Sequence, residues 1–99
     1  MSARQLRFRP EALDEVRSAR RWYEAQVRGL GRAFIAELDA LSAMLLEHPE
    51  MFPVVTDAAD VRRALLHRFP YAVFYQIMSP TELVVLRCRH VRQDDVSFP

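Results

Sequence analysis

Six arginines fall between residues 61 and 92 (Arg62, Arg63, Arg68, Arg87, Arg89 and Arg92), against a single acid, Glu82. All fourteen basic residues of the chain are arginine. A guanidinium offers a planar fork of donors that fits carboxylate and phosphate in a bidentate way, which a lysine ammonium cannot do. Arg87, Arg89 and His90 sit together in the run RCRH, and Arg63 and Arg92 stand near the two ends of the same segment. Drawn together, Arg63, Arg87, Arg89, Arg92 and His90 would form a cationic patch suited to phosphate or to an acidic peptide. Tyr71 and Tyr75 offer rings on which bases can stack. Their spacing with Val73 and Ile77 also fits the inner face of a strand. Trp22 lies off the apolar stripe of its helix, and either packs under a helix turn or faces a partner.

Other chemistries have little support. The only glycines are Gly29 and Gly31, so no glycine-rich phosphate loop exists. CxxC and HExxH are absent, and His48, His67 and His90 are widely spaced, so no metal or cofactor is expected. Ser2, Ser18, Ser42, Ser79 and Ser97 lack a nucleophile-elbow context. The one cysteine, Cys88, cannot form an internal disulfide and reads as a small core residue in a reducing, cytoplasmic setting. No apolar run approaches the ~20 residues that span a bilayer, and MSARQLRFRP has no signal-type apolar region. Residues 33–60 carry six acids and no arginine, which predicts a surface polarised against the basic segment.

The elements that must position these residues follow from periodicity. Gln5–Arg9 alternates as a half-buried strand, and Pro10 ends it and suits a helix start. Ala12, Val16, Ala19 and Tyr23 form an apolar stripe on a first helix that stops near Val27 or Arg28, before Gly29 and Gly31. A second helix is expected from Gly31 to Glu47, with Phe34, Leu38, Leu41 and Leu45 inward and Pro49 as its stop. The short link makes the two helices an antiparallel hairpin. Met51–Asp60 reads as a loop with extended character at Pro53–Val55. Three strands follow, Arg62–Leu66, Phe69–Ile77 and Leu83–Arg89, joined by short turns and therefore antiparallel. In strict alternation Val84, Leu86, Cys88 and His90 share one face of the last strand, and Leu83 and Val85 share the other with Arg87 and Arg89. Arg62 and Arg63 point to opposite faces, one of them anchored by an acid from the helices. The expected fold is α+β. It has an N-terminal strand, a helical hairpin and three antiparallel strands in one sheet packed on the hairpin, all in a single domain over residues 1–99.

Four runs in this order resemble the RelE/ParE superfamily, the toxins of type II toxin–antitoxin modules. They are RRWYEAQVRGLGRAF, the acidic second helix closing in HPEMFP, VRRALLHRFPYAVFYQI, and LVVLRCRHVRQDD. The resemblance covers about residues 4–95. It implies the same strand–hairpin–sheet fold and a cognate antitoxin whose disordered C-terminal part folds across the toxin in a hetero-oligomer. Phe69-Pro70-Tyr71 and Trp22-Tyr23 resemble the ParE branch, whose members inhibit DNA gyrase and are not nucleases. The resemblance also allows a RelE-like enzyme that cleaves mRNA on the ribosome. Arg63 and Arg87 would then contact phosphate, with His90 as general acid or base. Against that, the tail lacks the terminal tyrosine of many RelE-like enzymes, and Phe98 cannot do acid–base chemistry. A third possibility is a non-toxic member that only binds its antitoxin. In each case Trp22, Arg63, Tyr71, Arg87, Arg89 and Arg92 are the expected contacts to the antitoxin or the target. An acidic-to-neutral antitoxin segment is expected against the basic patch and the groove beside the hairpin.

Overall fold

The computed structural model describes residues 3–56 and 60–92. In chain order the elements are β1 (Gln5–Phe8), α1 (Pro10–Gln26), α2 (Leu30–Glu47), β2 (Val54–Thr56), β3 (Val61–Leu65), β4 (Tyr71–Ser79) and β5 (Glu82–His90). They form one sheet in the order β1-β5-β4-β3-β2. The three C-terminal strands pair antiparallel, whereas β1 lies parallel to β5. Parallel pairing needs a long crossover connection, and here the hairpin and the three strands that follow it lie between the two partners. Residues 57–59 of the expected loop and Phe98 lie outside the described residues.

The helices begin and end where local chemistry dictates. Pro10 opens α1, its missing N–H costing nothing in a first turn. The turn into α2 runs through Gly29 at φ +88°, in left-handed space that a side chain seldom occupies. The Glu24 carboxylate then accepts the Gly29 and Gly31 N–H groups at 3.0 Å each, capping α2 from the preceding helix. A Cβ on Gly31 would stand 2.8 Å from the Arg20 carbonyl oxygen, so the absence of a side chain there sets how closely the helices approach.

The hairpin covers one face of the sheet. Ala12, Val16, Ala19 and Tyr23 of α1 and Phe34, Leu38, Leu41 and Leu45 of α2 pack on Ala64, Val73, Tyr75, Leu83, Val85 and Cys88. Tyr75 is fully buried, and its hydroxyl donates to the Pro49 carbonyl at 2.6 Å, tying the end of α2 to the centre of the sheet. Tyr75→Phe should therefore cost about 1.5 kcal/mol in urea unfolding, the value of one hydrogen bond plus a stranded carbonyl. A variant as stable as the parent would show that the bond contributes nothing.

Two expectations are corrected. The loop before β3 contributes a fifth strand, β2, whose pairing with β3 carries a register shift. In β5 the alternation breaks: Phe74 pairs with Arg87 and Tyr75 with Val85, leaving Leu86 as an extra residue. After this bulge Cys88 and His90 join Leu83 and Val85 on the hairpin face. Arg87 and Arg89 lie instead opposite Phe74 and Ala72, on the far face. That face holds its own small cluster of Val61, Ala72, Phe74, Val84 and Leu86.

Candidate functional site

The wheel of α1 has three sides. At about 100° per residue, the buried stripe of Ala12, Val16, Ala19 and Tyr23 separates two exposed flanks. One carries Arg17, Arg20, Arg21 and Glu24; the other carries Glu11, Asp14, Glu15, Ser18 and Trp22. The second flank and the ends of β4 and β5 enclose a groove. Its first part, about 500 Å³, is lined by Asp14, Glu15, Ser18, Trp22, Tyr71 and Arg89, among others. Its second part, about 620 Å³, is lined by Trp22, Tyr23, Pro70, Tyr71 and His90. Trp22 and Tyr71 line both parts, so the groove runs continuously from an acidic end to an aromatic one.

Glu15 is the hub of the first part. It sits where β5 outruns β1, which pairs only as far as Val85. Its Oε1 accepts the Cys88 backbone N–H at 2.8 Å, an edge amide that no strand covers. Its Oε2 takes Arg87 Nη2 at 2.7 Å and Arg87 Nε at 3.1 Å. Arg89 Nη1 stands 3.5 Å from the same oxygen. The Glu15 side chain is only 20% exposed, so solvent screens these contacts weakly. Hydrogen bonding to Glu15 raises the Arg87 pKa further. The two arginines reach the hairpin side through this carboxylate, although their strand positions belong to the far face.

The second part is built on rings. Tyr23 meets Phe69 at 4.8 Å and Phe34 at 5.5 Å between centroids, giving the groove a rigid aromatic floor. Trp22 stands edge-on to Tyr23 at 5.1 Å and is 58% exposed, which answers the open question of its position. Tyr71 is half-buried, and desolvation raises its pKa, so its hydroxyl stays a protonated donor at neutral pH. His90 packs edge-on against Tyr71 at 5.4 Å, and its Nδ1 accepts the Arg92 N–H at 3.0 Å.

The predicted residues therefore divide. Trp22, Tyr71, Arg89 and His90 meet in the groove, and Arg92 is exposed beside His90. Tyr75 is not a stacking platform, being wholly buried. Arg63 and Arg87 hold strand positions opposite Phe74, but the Arg87 guanidinium turns to Glu15 on the hairpin side. Arg62 has a structural role, its Nη1 donating to the Glu50 and Phe52 carbonyls at 3.2 and 2.8 Å, and among the described residues no ion pair to an acid anchors it. Glu15 is absent from the expected site residues, although an acid one position before Val16 in the core stripe would reach the partly buried flank of the helix. Among the described residues no group of three His, Cys, Asp or Glu side chains could hold a metal ion, and no helix is long and apolar enough to cross a membrane.

Cys88 borders the groove, yet burial pushes its thiol up to about 12, with the Glu15 charge adding to the effect. The thiolate is the reactive form. Cys88 should therefore resist iodoacetamide at pH 8 in the native state and react once the chain is unfolded. Native labelling at the unfolded rate would contradict the geometry.

A strand, a helical hairpin and a mainly antiparallel sheet with a groove along the first helix define a small two-layer α+β fold. The sequence matches the family of the ParE toxin of type II toxin–antitoxin systems, parDE, over residues 6–95, and the chain belongs to that family. No curated protein sequence matches it closely. Among solved structures the chain is similar to one described as the chromosomal ParDE toxin–antitoxin system from P. aeruginosa. The TM-score is 0.64 at 12% identity, over 89% of this chain and 96% of that one, a likeness of fold.

Proposed function

We propose that this chain is the toxin of a type II toxin–antitoxin pair and that it inhibits DNA gyrase by protein contact rather than by catalysis. Family membership and a relative solved as a ParDE toxin–antitoxin system support the first part. One observation carries the second: Arg63 pairs with Phe74 on the far face and the Arg87 guanidinium is bound to Glu15, whereas His90 packs against Tyr71 on the hairpin face. A general acid must reach the phosphate that the cations hold, and these three groups do not converge on one point.

In this reading a cognate antitoxin segment lies along α1 in the groove, with Trp22 and Tyr71 as its apolar anchors and Arg89 and Arg92 as polar contacts. With Glu15 already held by Arg87 and Arg89, the groove favours an acidic-to-neutral segment with an apolar side chain toward Trp22, as the sequence led us to expect. The toxin works in the cytoplasm, where its target is.

The deciding experiment is pulse labelling of DNA and protein synthesis just after this chain alone is induced in bacterial cells. DNA synthesis should stop first while translation persists, and the purified chain should block supercoiling by gyrase. Translation stopping first, with ribosome-dependent mRNA cleavage, would replace this reading by the nuclease one. Arrest of neither process would leave an antitoxin-binding protein without toxicity.

A further inference from the structure

Four guanidinium groups gather where the two helices turn. Arg20 and Arg21 stand near the end of α1, Arg28 in the link and Arg32 in the first turn of α2, and all four are exposed. The close approach at Gly31 holds the start of α2 against Arg20 and Glu24. The Gly29 and Gly31 N–H groups hold the Glu24 carboxyl below its ordinary range, and the Arg20 and Arg32 charges add to this. Arg21 precedes Glu24 by three residues, about one helical turn.

Glu24 is the only acid between residues 17 and 32, and its oxygens are occupied. Oε1 accepts the Gly29 and Gly31 N–H groups at 3.2 and 3.0 Å, and Oε2 accepts the Gly29 N–H at 3.0 Å. Among the described residues no ion pair engages Arg20, Arg21, Arg28 or Arg32; Arg21 reaches only Ser18 Oγ, at 3.3 Å. Other arginines are committed. Arg4 donates to the Leu46 carbonyl, Arg7 pairs with Glu82, Arg62 holds two loop carbonyls, and Arg87 and Arg89 hold Glu15.

The cluster thus presents many N–H donors and no free acceptor, which calls for a row of anionic oxygens. Arg20 lies on the flank of α1 opposite the one that carries Trp22, and Arg28 and Arg32 follow in the link and in α2. Among the described residues the one exposed ring near the cluster, Trp22, borders it only at Arg21 and faces the groove, which leaves backbone charge rather than base stacking to the cluster. We propose that the turn end of the hairpin binds the sugar–phosphate backbone of duplex DNA without reading its sequence. Contacts of this kind fix a protein on the duplex but carry no base information. The surface meets the groove along α1 only at Arg21, whose partner Ser18 lines that groove, and the proposal holds whichever enzyme the toxin inhibits.

The test is fluorescence anisotropy of the purified chain with a labelled random duplex of about 20 base pairs, the length of two helical turns. Binding near 10⁻⁵ M is expected in low salt, with log K falling against log salt at a slope of about −3. Replacing Arg20, Arg21, Arg28 and Arg32 together by Gln should weaken binding about tenfold or more and flatten that slope. Replacing the same four by Lys should keep most of the affinity, since charge is retained. All positions are exposed, and circular dichroism checks folding; should the Gln set fail to fold, Arg28→Gln with Arg32→Gln should still lose part of the slope. Absence of salt-dependent binding, equal binding by the Gln variants, or tighter binding of single-stranded RNA or polyglutamate than of the duplex would each overturn the proposal.

Discussion

Glu15→Ala should unfold at a midpoint about 15 °C below the parent, a loss of about 3 kcal/mol in a domain of this size. The carboxylate makes four hydrogen bonds, three to Arg87 and one to the Cys88 amide. Its side chain is 20% exposed and that of Arg87 29%, so the charges left behind by the substitution are poorly hydrated. Breaking a fully buried pair costs about 3–5 kcal/mol, and partial hydration sets this site at the lower end. Glu15→Gln should fall between the two, because an amide oxygen can still accept from Cys88 while neither arginine recovers its counter-charge. Hydrogen exchange offers a local readout. The Cys88 amide should exchange much faster in Glu15→Ala, since no other acceptor faces that edge of β5. Thermal unfolding within about 2 °C of the parent would mean that solvent already satisfies these groups.

Trp22→Ala should weaken the complex with the cognate antitoxin about 30-fold or more, by the ~2 kcal/mol typical of an aromatic anchor at the centre of an interface. Trp22 is 58% exposed in the free chain and lines both parts of the groove, so a partner lying along α1 would desolvate it. Its edge contact to Tyr23 fixes the ring beforehand, which lowers the entropy lost on binding. Trp22→Phe should recover a large part of the affinity, because the ring is kept and only its size and indole N–H are lost. Titration calorimetry with the purified antitoxin measures both. Unchanged affinity in Trp22→Ala would move the antitoxin off this groove. Stability should hardly change, since the side chain is mostly in water already.

The fold was largely legible from residue spacing. The stripe Ala12–Val16–Ala19–Tyr23, the stripe Phe34–Leu38–Leu41–Leu45 and the alternation around Tyr71–Ile77 each belong to one period, and each element buries the side that its period marks. Gly29 and Pro49 stand at the turns they were expected to make because their backbone constraints are local. The membership in a toxin family was equally present in the linear order of its segments.

What alternation could not convey is the bulge at Leu86. Inserting one residue into β5 costs little locally but moves every later side chain to the other face, bringing Cys88 and His90 to the hairpin side and setting the strand positions of Arg87 and Arg89 opposite Phe74 and Ala72. The strand β2 showed only as extended character at Pro53–Val55, because three residues on an edge, beside Pro53, carry too few repeats of any period. Charge counting along the chain misled in the same way. It marked residues 61–92 as the basic surface, yet Arg62, Arg87 and Arg89 are consumed by loop carbonyls and by Glu15. The arginines of the hairpin turn, unremarkable in sequence, face solvent together with Arg68 and Arg92 of the basic segment. Residue type and spacing decide which elements form, because those interactions run between near neighbours in the chain. Which charges remain to meet a partner depends on contacts such as Glu15 to Arg87, seventy-two positions apart, and only the closed tertiary structure brings them together.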